Sequence, residues 1–129
     1  MRHDLLNDAL VALRHADLQG RAKVRLHPSS KLVGEVLGIF RQHKYVEDFA
    51  FVPSGQGGEY DVTLARRINS CGVIKPRLAV RSRDLERYES RFLPAQDFGI
   101  LLLSTHRGVM SHQKARELKI GGKLLAYVY

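Results

Sequence analysis

Residues 100–112 read ILLLSTHRGVMSH, and their interpretation settles how the rest of the chain is arranged. Four consecutive aliphatics, Ile100 to Leu103, describe a strand buried on both faces. They stop at Ser104-Thr105-His106-Arg107-Gly108, a cluster of small hydroxyls, an imidazole and a cation beside a flexible residue. Such a set at the end of a core strand is a catalytic site, a surface that reads a polar partner, or a plain polar turn.

Working outward, SHQKARELK predicts a short helix capped by Ser111 and stopped at Gly121-Gly122. KLLAYVY follows as a final strand closing the sheet. Upstream, RLAVRSR reads as a short strand and DLERYESRF as a short helix with Asp84 as its cap. INSCGVIKPR, holding Asn, Gly and Pro, is a break and marks an internal boundary. Before it, DLLNDALVALRHAD places Leu6, Ala9, Leu10 and Leu13 on one helical face, with Asp4 as N-cap. RAKVRLH alternates as a strand ending at Pro28. PSSKLVGEVLGIFRQH starts a second helix capped by Ser29 or Ser30, with Leu32, Val33, Val36, Leu37 and Phe40 as its stripe. Gly34 and Gly38 within that helix weaken it or mark close packing. FAFVP, the turn SGQGG and EYDVTLA make a hairpin. The expected fold class is α+β in two small α/β parts. Residues 1–66 form an α-β-α-β-β sheet packed by two helices, and residues 67–129 a mainly β part with short helices.

A chain of 129 residues can bury a sizeable core as one domain or as two half-domains sharing an interface. The single cysteine, Cys71, excludes an intrachain disulfide and a cysteine-cluster zinc site, and it suits a reducing compartment. No apolar run approaches the ~20 residues of a membrane span, and MRHDLLNDAL lacks the uncharged core of a secretory signal. A soluble cytoplasmic protein without a membrane partner is expected. The net charge is +8, and it is one-sided. Residues 1–65 hold eight basic and eight acidic side chains, whereas residues 66–129 hold 13 and 5, so the whole excess lies in the second half. Concentrated positive charge steers and binds a polyanion through counterion release, and solubility alone does not require it.

The chemistry of the polar residues favours recognition over catalysis. His3, His15, His27, His43, His106 and His112 show no His-x-x-x-His pair on a helix, so no metal ligand set is expected. Thr105 and His106 are adjacent on a strand and point to opposite faces, and THRGV lacks the glycine of a nucleophile elbow. SGQGG and IGGK lack the context of a phosphate-binding loop and read as structural turns. No catalytic residue and no cofactor is expected. Small hydroxyls can instead exchange hydrogen bonds with sugar hydroxyls and base edges in the shallow minor groove of RNA. The rigid strand beneath them preorganises the set.

LLLSTHRGVMSHQKARELKIGGKLLAYVY closely resembles the C-terminal signature of the small-subunit ribosomal protein eight family (S-eight). That signature is a Ser-Thr-x-x-Gly loop, Val-Met, a Ser/Thr-capped helix, Gly-Gly and a Tyr-Val ending. HPSSKLVGEVL, KYVEDFAF and IKPRLAV match the family's earlier parts, so the likeness runs from about Arg2 to Tyr129. RFLPAQDFGILLLST and LLAYVY are similar to the archaeal and eukaryotic cytosolic branch. The resemblance implies a structural, non-enzymatic constituent of the small ribosomal subunit in the cytoplasm, a primary binder of a distorted helix in the central domain of its rRNA. It also implies other small-subunit proteins as partners and, for some relatives, repression of their own mRNA. The family's loop contacts carry over to Ser104, Thr105 and Gly108, and His106, Arg107, Val109 and Met110 of the same stretch are also expected to bind RNA. His106 stands where relatives commonly have Ser or Thr. Ser30 and Lys31 match a minor contact of the N-terminal half, and Arg77, Arg81 and Arg83 are expected to neutralise phosphates. Two rivals from other classes are a basic RNA-processing enzyme with His106 and His112 as acid and base, and a basic protein–protein adaptor.

Overall fold

The computed structural model describes residues 4–27, 30–54 and 57–129. Pro28 and Ser29, the Gly55-Gln56 part of the SGQGG turn, and His3 lie outside the described residues. The chain divides into two compact units, Met1–Asn69 and Ser70–Tyr129. Among the described residues there are four α-helices and eight strands in two antiparallel sheets, an α+β fold.

In the first unit, α1 spans Leu5–Leu18, and the Asp4 carboxylate accepts from the Asn7 N–H at 3.1 Å. That cap satisfies one of the amides a helix start leaves unpaired. Leu6, Ala9, Leu10, Leu13 and Ala16 form its buried stripe. Helix α2, Lys31–Gln42, is capped by Ser30, whose hydroxyl accepts from the Val33 N–H at 3.1 Å. Val33, Val36, Leu37 and Phe40 are buried, whereas Leu32 at the stripe's edge is only partly so. Strands β1 (Lys23–Leu26), β2 (Val46–Val52) and β3 (Glu59–Leu64) pair in the order β1-β3-β2. Gly34 is a site of close approach, because the Tyr60 hydroxyl donates to the Ser30 carbonyl at 3.3 Å and occupies the space a Cβ would need. Gly38 faces open space, and packing does not account for it.

In the second unit, β4 (Cys71–Val73), β6 (Ile100–Thr105), β7 (Gly108–Ser111) and β8 (Gly122–Val128) are ordered β4-β8-β6-β7. The short strand β5, Ala79–Val80, pairs with the start of β8. Helices α3 (Leu85–Phe92) and α4 (His112–Leu118) cover one face, around Leu85, Leu101, Leu103, Met110, Ala115 and Leu124. Ile100 to Leu103 are all at most 3% exposed, the double-sided burial the aliphatic run implies.

Four local expectations change. The break INSCGVIKPR contains β4, because Cys71–Val73 find a distant partner in β8 that no local pattern announces. The final strand is central instead of closing the sheet, with β4 and β5 on one side and β6 on the other. Asp84 makes no capping hydrogen bond to α3. It ends a 3₁₀ turn, Ser82–Asp84, and its carboxylate meets Arg87 at 3.3 Å. Helix α4 ends at Leu118, and its C-cap Lys119 itself takes the left-handed conformation at φ 59°, before the glycines are reached.

Candidate RNA interface

The segment after the buried strand folds back at once. Ser104 pairs with Val109 and Thr105 with Gly108, so β6 and β7 form a hairpin with His106 and Arg107 as its turn. Gly108 has φ +107°, a conformation L side chains rarely adopt. The Thr105 hydroxyl donates to the Gly108 carbonyl at 2.8 Å and accepts from the Arg107 N–H at 3.1 Å. Its proton is therefore spent on the turn, and Thr105 acts as a staple that fixes the tip.

Ser104 differs. Its side chain is exposed, and no hydrogen bond engages its hydroxyl among the described residues. It lies in register with Lys123 on β8 and Val109 on β7, and Lys123 in turn opposes Ala79 on β5. Residues in register share a face, so a row of Ala79, Lys123, Ser104 and Val109 crosses the outer surface. Beside it opens a broad groove of about 650 Å³ lined by Arg81, Ser104, Thr105, His106, Gly122 and Lys123. The groove depends on glycine. A Cβ at Gly122 would lie 2.5 Å from the Ser104 carbonyl, and one at Gly121 would collide with the carbonyl of Val80. The pair reads in sequence as a helix stop, but its task is to let three strands converge.

Of the expected site residues, Arg81, Ser104, Thr105 and His106 meet at this groove. Arg107 and Gly108 are exposed at the turn, and Val109 is half-buried next to Ser104. Met110 is a correction: its side chain is 7% exposed and packs into the core, because strand alternation turns it away from Val109's face. Arg77, on a loop, and Arg83, in the 3₁₀ turn, are exposed and do not line the groove. Ser30 and Lys31 belong to the first unit, where Ser30 caps α2 and Lys31 is exposed at its first turn. Lys123 is not singled out by any motif in the sequence. Only its pairing with Ser104 brings it to the hydroxyl.

His112 cannot serve as a partner base to His106. It is 0% exposed, and the Leu101 N–H donates to its Nδ1 at 3.0 Å, which holds that nitrogen unprotonated. Nε2 sits 3.3 Å from Oε2 of Glu89, within electrostatic reach but off the line of a hydrogen bond. Burial pushes the His112 pKa below its usual range, and the Glu89 carboxylate only partly opposes this, so the ring is neutral. Burial pushes Glu89 the other way, but the Arg116 guanidinium at 2.9 Å, the Asp97 N–H and His112 outweigh it, and the carboxylate stays charged. This cluster ties α3, α4 and β6 together beneath the surface. Among the described residues, no group of His, Cys, Asp and Glu could hold a metal ion, and no helix is long and apolar enough to cross a membrane.

Residues 4–129 match the family model for ribosomal protein S8. The chain is 49% identical over 129 residues to the small ribosomal subunit protein uS8 of Picrophilus torridus, covering all of both chains. The protein of the same name from Thermoplasma volcanium is also 49% identical, and that from Archaeoglobus fulgidus 44%, each with full coverage of both chains. A signature hairpin, its glycine-dependent groove and a likeness running from end to end lead to one assignment: the chain belongs to the ribosomal protein S8 family, structural constituents of the small ribosomal subunit.

Proposed function

We propose that this chain is a primary rRNA-binding protein, which grips a distorted helix in the central domain of small-subunit rRNA through the β6–β7 hairpin and its groove and so helps assemble the subunit. Its place is the cytoplasmic ribosome, and its role there is structural, not enzymatic. The observation that carries the reading is Ser104: an exposed hydroxyl, unengaged among the described residues, in register with Lys123 and held at the end of a strand buried on both faces. Arg81, Arg107 and Lys123 supply phosphate contacts, and Ser104 with His106 reads 2′-hydroxyls and unstacked bases. Arg77 and Arg83 extend the phosphate track, and Ser30 with Lys31 adds a lesser contact from the first unit. The RNA-binding part is the basic C-terminal stretch, residues 67–129. Because RNA folded in the right shape offers the full contact set, binding stabilises that shape by mass action.

The test is binding of a central-domain rRNA fragment to the wild type and to Ser104→Ala, in parallel with an unrelated duplex. Specific affinity should fall while duplex binding stays the same. An unchanged ratio between the two would remove Ser104 from the interface. Binding to the chain's own mRNA would use the same groove, so that mRNA and the rRNA fragment should compete for the protein.

A further inference from the structure

The opposite end of the second unit carries a feature that the hairpin does not use. Phe98 is 49% exposed yet firmly built. It stands between two left-handed residues, Asp97 at φ 61° and Gly99 at φ 93°. Its own N–H donates to the Ala95 carbonyl at 3.2 Å, and the Asp97 N–H reaches the buried Glu89 carboxylate at 3.3 Å. Gly99 admits no side chain, since a Cβ there would meet the Val128 carbonyl. A large apolar ring held outward by this much backbone constraint is a presented contact, not a failure of burial.

Behind Phe98 runs a ladder of rings. Tyr129 follows at 6.4 Å between centroids, Tyr127 at 6.0 Å and Phe92 at 6.2 Å, the last two pairs near-parallel at about 20°. The Arg91 guanidinium lies 5.5 Å from the Phe92 ring, so the ladder already accepts one cation of this kind. Alongside α3 is a cleft of about 180 Å³ lined by Glu86, Glu89, Ser90, Leu93, Pro94 and Gln96. Local charge sets its preference. Residues 84–99 hold four acidic and two basic side chains, whereas the rest of the unit holds one acidic and nine basic. Arg87 is engaged by Asp84 and the buried Glu89 by Arg116, so Glu86 and Asp97 are the exposed carboxylates left beside Arg91.

We propose that this end of the second unit, Phe98 with the aromatic ladder and the Glu86 cleft, docks a basic, arginine-bearing segment of another protein of the small subunit. The proposal rests on the reading that the chain works inside that particle. Guanidinium groups stack on aromatic faces and pair with carboxylates, and aromatic residues are enriched at protein interfaces. A locally negative patch repels phosphates, so RNA is the disfavoured occupant.

The test places the photoreactive amino acid p-benzoylphenylalanine at position 98 of the full-length chain, and at position 106 of a second chain, each assembled into small subunits. The probe at 98 should crosslink to a Lys/Arg-bearing stretch of one subunit protein, and the probe at 106 to rRNA. Crosslinking of position 98 to rRNA, or to nothing while 106 labels rRNA, would overturn the docking surface. A protein crosslink at 98 with no RNA crosslink at 106 would count instead against the hairpin reading. In a chain also carrying Glu86→Arg, an exposed change, the protein crosslink should fall about tenfold with the RNA crosslink at 106 intact. An undiminished yield would overturn the proposed charge selectivity.

Discussion

The two ends of the second unit share one sheet and differ in nearly everything else. At the hairpin end, Arg81, Arg107 and Lys123 have no acidic partner among the described residues, they surround an exposed hydroxyl, and the surface is polar. At the α3–Phe98 end, carboxylates outnumber cations, the exposed Phe98 ring stands among exposed Glu86 and Asp97, and Arg116 and the Asp97 N–H turn inward onto Glu89. Between them lie the aliphatic run Ile100–Leu103 of β6 and the buried Glu89–His112 pair. The net charge of a small unit therefore conceals polarity. Which class of partner a surface accepts follows from the charges that remain unpaired at that place.

The contrast can be broken most forcefully at its centre. Glu89→Ala removes the carboxylate that receives Arg116, the Asp97 N–H and the neighbouring His112, and it should destabilise the fold by about 3 kcal/mol. Urea unfolding followed by circular dichroism would measure this, and a loss below about 1 kcal/mol would show that the cluster is not a tie. The same pair sets an acid response. His112 is held below its ordinary pKa in the fold, so the unfolded chain binds the extra proton, and stability drops as pH falls through about 6.5. His43, also lowered by burial, adds to that drop. Glu89, lowered as well, adds a further loss below the ordinary carboxylate range. Between pH 7 and 5 the wild type should lose stability, and His112→Gln should show a shallower loss.

Gly122→Ala should follow, at about 2 kcal/mol, because the methyl group meets backbone that cannot retreat. It should also weaken rRNA binding by distorting the groove, whereas Gly38→Ala, in open space, should do neither. Next come the adjacent hydroxyls. Thr105→Ala frees the turn and should cost about 1 kcal/mol in unfolding experiments. Ser104→Ala should leave stability within about 0.5 kcal/mol and reduce specific rRNA affinity instead. Equal effects in both assays would erase the distinction between staple and reader. The smallest effects belong to single cations. Arg81→Gln or Lys123→Gln should each flatten the salt dependence of binding by about one unit. Arg83→Gln, outside the groove, should change it less.

Much of this was legible in the chain, and where it was not, the missing quantity was nearly always a distant partner. The stripes of α1 and α2, the caps Asp4, Ser30 and Ser111, and the burial of Ile100–Leu103 are local facts of spacing and side-chain chemistry. So is the hairpin joining β2 and β3. Strand β4 sat hidden in an apparent break, since three residues hold no period and gain their strand character from β8. Met110 was expected at the RNA surface from its place in a motif, and the pleat sent it to the core. Thr105 and Ser104 read as equals until the turn claimed one hydroxyl and left the other exposed.

What the amino-acid sequence by itself determined is most of the elements, the basic bias of the second half and the family signature, all of them properties of neighbours along a chain. Only the tertiary structure decided which residues converge: Lys123 with Ser104, the glycine pair beneath the hairpin, and Glu89 with His112 and Asp97. The physical reason is that register and burial are set by pairing between segments far apart in sequence. Each such pairing selects, from residues of equal chemical promise, those that reach the surface.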